Sequence, residues 1–194
     1  MNLRLTKNKG TMKKVLLFAM LMVAMTAKAQ VTLVNGVYEK KIVEQYDSVK
    51  ADILYLRALE TLSDWAGSQQ NSKIGIDVQD KDNGMVVYKG SYYMGYHKAN
   101  FLCGWETTAD FTIKIRCKDG KAQLTCQVPS MTFNWTGEHA TETVPLGELL
   151  PEYNHKGQLR IKKAALKFAP QIPDTFDAIL AAIAKKMKQE VDDF

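Results

Sequence analysis

The chain has 194 residues, 46% hydrophobic and 24% charged, with a formal net charge of +5. That is a globular composition without repeats or low-complexity tracts, and it is long enough to build a core without a disulfide framework. The positive charge is uneven: residues 1–29 hold Arg4, Lys7, Lys9, Lys13, Lys14 and Lys28 and no acid, so the rest of the chain sums to −1. A near-neutral surface lacks the electrostatic footprint for nucleic acid and has no general attraction to anionic lipid.

Residues 12–30 read MKKVLLFAMLMVAMTAKAQ. Two lysines, an apolar run over 15–25 and small residues at Ala27 and Ala29 predict a secretory signal peptide cleaved before Gln30. The apolar run is shorter than the roughly 20 residues that span a bilayer. The mature chain is therefore expected to have no transmembrane segment. No cysteine follows the site, so the protein is expected to be periplasmic or secreted and not a lipoprotein. Met12 is a candidate true start, because residues 1–11 add nothing a signal peptide needs. The expected organisation is a signal peptide over 1–29, an α+β core over 30–130, and a segment over 131–194 that completes the same domain with a C-terminal helix. The mass of the protein purified from its host is expected to correspond to a chain starting at Gln30; a mass retaining residues 15–25 would refute this.

The first elements are a strand and a helix. Residues 36–43 have strand character. Asp47 and Ser48 then offer N-cap side chains for a helix. Its apolar positions are Val49, Ile53, Leu56, Leu59, Leu62, Trp65 and Ala66, ended by Gly67. KIGIDVQD at 73–80 alternates with period two, placing Ile74, Ile76 and Val78 on one face. KDNG makes a turn, and 85–93 returns as a strand. Residues 96–106 read as an irregular aromatic loop.

The strongest signal is a hairpin. FTIKIRC at 111–117 and AQLTCQV at 122–128 flank Asp119-Gly120, a turn dipeptide between alternating runs. One face holds Phe111, Ile113, Ile115, Cys117, Ala122, Leu124, Cys126 and Val128. The other holds Thr112, Lys114, Arg116, Gln123, Thr125 and Gln127. A two-residue turn sets Cys117 opposite Ala122 and Cys126 opposite Ile113. The two cysteines then lie roughly 13 Å apart along the strands, too far for a disulfide. Cys103 remains open to pairing with either. Beyond residue 128, 145–150 and 159–168 read as short helices and Pro170 and Pro173 as breaks. A last helix comes next, capped by Asp174 or Thr175. Its stripe is Phe176, Ile179, Leu180, Ile183, Met187 and Val191.

Successive hairpin-linked strands with flanking helices define α+β architecture, a curved antiparallel sheet with helices on one face. The stretches DSVKADILYLRALETLSDW, KIGIDVQDKDNGMVVYKGS and FTIKIRCKDGKAQLTCQV resemble a family of exported bacterial proteins, domain of unknown function 4468. The resemblance covers roughly 36–130 and implies a fold like the TATA-box-binding protein, strand–helix–four strands–helix. It carries over no functional residue, and a fold does not fix a function.

No metal-ligand spacing links His97, His139 or His155 to another histidine or cysteine, and no nucleophile or phosphate-loop motif is present. Asp80 and Asp82 fall in a turn, where turn chemistry competes with calcium binding. No cofactor is implied, and the expectation is a non-catalytic protein. The densest aromatic stretch supplies the candidate binding residues Tyr92, Tyr93, Tyr96, Phe101 and Trp105, which either fill the core or line a carbohydrate or peptide surface. Ser48, in Asp47-Ser48-Val49, is a helix cap or an O-glycosylation acceptor. The leading expectation is a binding module for a protein, peptide or glycan, working through its sheet face or aromatic loop. The alternative is a small apolar ligand held in a groove between the sheet and the C-terminal helix.

Neither reading includes nucleic acid. Binding to duplex DNA at physiological salt is expected to be negligible, because phosphate contacts supply most non-specific affinity. An anisotropy titration showing micromolar, steeply salt-dependent binding would overturn that.

Overall fold

The computed structural model describes residues 33–69, 73–137, 140–149 and 159–189. The signal segment, Glu138, His139, His155 and Val191 lie outside them. The strands are β1 (Leu33–Val34), β2 (Val37–Gln45), β3 (Lys73–Asp80), β4 (Met85–Lys98), β5 (Gly104–Lys118), β6 (Lys121–Trp135) and β7 (Thr141–Pro145). The helices are α1 (Ala51–Ser68), α2 (Leu146–Leu149), α3 (Leu159–Phe168) and α4 (Ile172–Met187). All strands join one antiparallel sheet in the order β1-β2-β6-β5-β4-β3, with β7 also on β6.

The β5–β6 register is the one the turn dictates: Cys117 faces Ala122 and Ile113 faces Cys126. All three cysteines are free thiols. The Asp119-Gly120 turn has a second role. Asp119 Oδ1 accepts a hydrogen bond from Ala51 N at 2.8 Å, the Gly120 amide donates to Val49 O at 2.9 Å, and the Tyr46 amide donates to Gly120 O at 2.8 Å. The hairpin turn thus caps α1 from across the fold. Asp47 and Ser48 do not act as caps. The N-cap position is Lys50 and makes no side-chain cap bond, while Ser48 sits in a turn at φ 64°.

The helices cover one face. The α4 residues Phe176, Ile179, Leu180, Ile183, Ala184 and Met187 are all buried, with Ile113, Ile115 and Leu124 in the same core. The Phe176 ring meets Phe111 at 5.6 Å and Tyr92 at 5.9 Å between centroids, and Trp65 of α1 meets Phe111 at 5.7 Å. Burying these rings removes a large apolar area from water. Pro173 is not a break. It lies in the first turn of α4, where a missing amide costs nothing. Neither Asp174 nor Thr175 caps that helix, whose N-cap is Gln171.

Three irregularities of the sheet reset the side-chain alternation. The β3–β4 register shifts between Ile76 and Val78, so Ile76 faces Tyr88 but Val78 faces Val87. Val78 therefore does not share the face of Ile74 and Ile76. The β4–β5 register shifts between Tyr93 and Gly95, and the β5–β6 register between Asp110 and Thr112. Each extra residue flips the parity of the strand beyond it. Gly95 also needs to be glycine: its φ is +136°, and a Cβ there would stand 2.9 Å from the Phe168 ring of α3.

Candidate functional site

The predicted aromatic loop is mostly strand. β4 continues to Lys98 and β5 starts at Gly104, pairing Tyr96 with Glu106 and His97 with Trp105. A short loop, 99–103, joins them. The long ladder leaves the five candidate residues in three different places. Tyr92 faces the helices, stacked on Trp65 at 6.5 Å. Trp105 is also turned to the helices and buried, 5.0 Å from Trp135. Both rings belong to the core. Tyr93 and Tyr96 lie on the open face of the sheet, and Phe101 stands at the loop tip, 87% exposed.

Around Tyr93 the open face forms a hollow of about 450 Å³, lined by Lys73, Ser91, Tyr93, Glu106, Thr108, Thr132 and Asn134. It spans β3 to β6. The parity resets are what assemble it. In β4 the shift brings Tyr93 and Tyr96, three positions apart, to the same face. In β6 the shift moves the open-face set from Gln123, Thr125 and Gln127 to Ser130, Thr132 and Asn134. Next to the hollow, the Asp110 carboxylate accepts three hydroxyl hydrogen bonds, from Ser91 at 2.6 Å, Ser130 at 2.8 Å and Thr132 at 3.1 Å. Thr132 also bonds Thr143 of β7 at 2.8 Å, and Thr141 donates to Asn134 at 2.9 Å. These bonds fix the rotamers of short side chains on rigid strands. Hydroxyls, an amide, a carboxylate and a lysine then surround a tyrosine ring, with the Asp110 carboxylate beside them.

A second hollow, about 380 Å³, lies between β2 and α4. Its floor is Ile42, Leu180, Ala181 and Ala184, and its rim is Lys40, Glu44, Asp177, Lys185 and Lys188. Rim charges are paired across it. Lys40 meets Asp177 at 2.9 Å and Lys188 meets Glu44 at 2.5 Å, and the Tyr38 hydroxyl also donates to Asp177. Burial first, then that hydrogen bond, holds the Tyr38 proton far above the ordinary phenol range.

Other predicted positions are plain. His97 is half-buried on β4, and burial with the charges of Lys167 and Lys163 lowers its proton affinity. Asp80 accepts from the Asn83 amide at 3.1 Å and from its side chain at 2.8 Å, which is turn chemistry. Among the described residues, no three His, Cys, Asp or Glu side chains are placed to hold a metal. No described helix is long and apolar enough to cross a membrane.

An antiparallel sheet backed on one face by α1 and α4, with its other face open, is a TBP-like α+β architecture. Residues 38–131 match the model of the family described as domain of unknown function 4468 (DUF4468) with TBP-like fold. A DUF4468 family protein from Bacteroides ovatus is similar in structure, with a TM-score of 0.60 at 14% identity, covering 87% of this chain and 95% of that one. A TBP-like protein from Parabacteroides distasonis aligns with a TM-score of 0.52 at 10% identity, covering 80% of this chain and 97% of that one. At such identities the likeness concerns the fold alone. No curated protein matches the sequence.

Proposed function

We propose that this is an exported, non-catalytic binding module whose open sheet face takes a glycan. The observation that carries the reading is the Tyr93 hollow. Sugars offer an apolar ring face and a fringe of hydroxyls. They are matched by an aromatic ring with preset hydroxyl, amide and carboxylate partners, and Tyr93, Thr132, Asn134 and Glu106 supply that set in one place. Strand-borne side chains lose little freedom on binding, which keeps the ordering cost down. Ser48 is exposed at a turn, accessible as an O-glycosylation acceptor. The same intact-mass measurement that locates the mature N-terminus reads any such addition.

Glycan-array screening followed by calorimetry on the best hit tests the reading. Tyr93→Ala and Glu106→Gln are each expected to weaken binding roughly tenfold or more while both variants remain folded. The groove between β2 and α4 favours a small apolar ligand instead, because its floor is apolar. If Tyr93→Ala leaves binding intact and Ala181→Trp abolishes it, the groove is the site and the glycan reading falls.

A further inference from the structure

The tip of the β4–β5 hairpin is built unlike the rest of the surface. Phe101 and Leu102 are adjacent and 87% and 82% exposed. Single exposed apolar residues are ordinary, but two neighbouring large ones at a protruding tip are not. The loop holding them is ordered by its own hydrogen bonds. Asn100 Oδ1 accepts from the amides of Leu102 at 3.0 Å and Cys103 at 2.7 Å, and the Ala99 and Asn100 amides both donate to Cys103 O at 3.1 Å. Its base is clamped to the neighbouring turn, where Gly104 N donates to Thr136 Oγ1 and Thr136 N donates to Gly104 O, each at 3.0 Å. The two side chains are thus presented on a stiff support.

Cations collect at the same end. Lys98 Nζ lies 5.4 Å from the Phe101 ring centre. Lys167 of α3 donates to the Tyr96 carbonyl at 3.1 Å, which ties the end of α3 to the strand leading into the tip. α3 reads LRIKKAALKF, with four basic residues and no acid. Its outward side chains include Lys162, Lys163, Leu166 and Lys167, and Leu166 is 60% exposed. The described acid closest in register is Glu106, opposite Tyr96 on the open face. The chain beyond residue 29 sums to −1, so this basic end is a local feature and not a reflection of overall charge.

We infer that the 99–103 loop and the outer side of α3 form a surface that docks on an anionic lipid membrane, with Phe101 and Leu102 entering the interface and Lys98, Lys163 and Lys167 meeting the headgroups. Size favours lipid over a protein partner. A stable protein interface buries about 800 Å² on each side around an apolar centre, and the large exposed apolar side chains of this surface are Phe101, Leu102 and Leu166. A membrane surface is engaged by a few apolar side chains with flanking lysines, each lysine adding roughly fivefold in affinity. The surface is separate from the Tyr93 hollow, so this inference stands whether or not a glycan binds there.

Sedimentation of the exported protein with vesicles tests it. The probes are pure phosphatidylcholine, and phosphatidylcholine containing about one-third phosphatidylglycerol. Binding to the anionic vesicles is expected to be at least roughly tenfold tighter. Phe101→Ser with Leu102→Ser should lower it by roughly tenfold or more. Lys98→Glu with Lys163→Glu should lower it similarly, and all variants should keep the wild-type melting temperature. No binding to either vesicle overturns the inference, and so does binding that survives the Phe101/Leu102 change. Self-association on gel filtration that the same change abolishes, without vesicle binding, overturns it too and assigns the tip to protein contact.

Discussion

Replacing Ile183 with Ala is expected to destabilise the protein by about 2–5 kcal/mol, the range for truncating a buried branched side chain. Ile183 is 1% exposed, and Leu180 and Met187 beside it on α4 are buried too. The cost has two parts: lost transfer free energy and a cavity that α4, packed against both α1 and the sheet, collapses only partly. Ile183→Asp should cost more, because the charge would be buried without a partner. Lys186→Ala is the control. Lys186 does not simply point to water: it pairs with Asp64 of α1 at 2.5 Å. Both side chains are about half exposed, 45% and 56%, so solvent screening keeps the pair to about 1 kcal/mol or less. Urea denaturation of the three variants measures the differences. If Ile183→Ala is as mild as Lys186→Ala, α4 does not stabilise the core.

Legibility in the sequence depends on the distance over which each signal acts. The β5–β6 hairpin was legible to the residue because Asp119-Gly120 and unbroken alternation fix register locally. α4 was legible because its apolar stripe repeats at helical spacing over four turns. The aromatic stretch was not. Tyr92, Tyr93, Tyr96 and Trp105 read as one cluster, but strand geometry sends Tyr92 and Trp105 inward and Tyr93 and Tyr96 outward. The hollow's other residues, Lys73, Glu106, Thr108, Thr132 and Asn134, are separately unremarkable polar strand residues. Continuing the β5 alternation backwards from Thr112 reaches Asp110, Thr108 and Glu106, so half the site had a signal. The β6 half did not, because the shift opposite Phe111 inverts parity after Gln127, next to Pro129, which has no amide to give the ladder. The α1 cap was misread for a similar reason. Asp47 and Ser48 have the right chemistry beside the helix, but the acceptor used is Asp119, sixty-eight residues away.

Stability is expected to fall steeply between about pH 9 and 12. Burial raises the Cys117 thiol from 9.0 to about 11. It raises the Tyr46 phenol from 10.0 to about 12, with smaller contributions from the charges of Glu44 and Cys117. Burial also pushes Cys126 and Tyr38 upward, each further disfavoured as an anion by Asp177. A raised folded-state pKa means the native chain holds its proton when the unfolded chain has released it. The stabilising contribution is therefore complete below the unfolded value and is lost as pH rises through the folded one. For Cys117 that window is 9 to 11, and for Tyr46 it is 10 to 12. At about 1.4 kcal/mol for each unit, each group removes on the order of 2–3 kcal/mol across its window. Together they take a large part of the roughly 5–15 kcal/mol that stabilises a domain. Urea midpoints are expected to be flat from pH 7 to about 8.5 and to drop above it. Tyr46→Phe separates the titration from the packing. It forfeits the 3.2 Å hydrogen bond that Tyr46 donates to Ala184 O, about 1 kcal/mol at neutral pH, yet it should lose less stability than wild type between pH 10 and 12. Midpoints that stay level to pH 11, or a Tyr46→Phe profile parallel to wild type, would show that these groups ionise in the folded chain as readily as in the unfolded one.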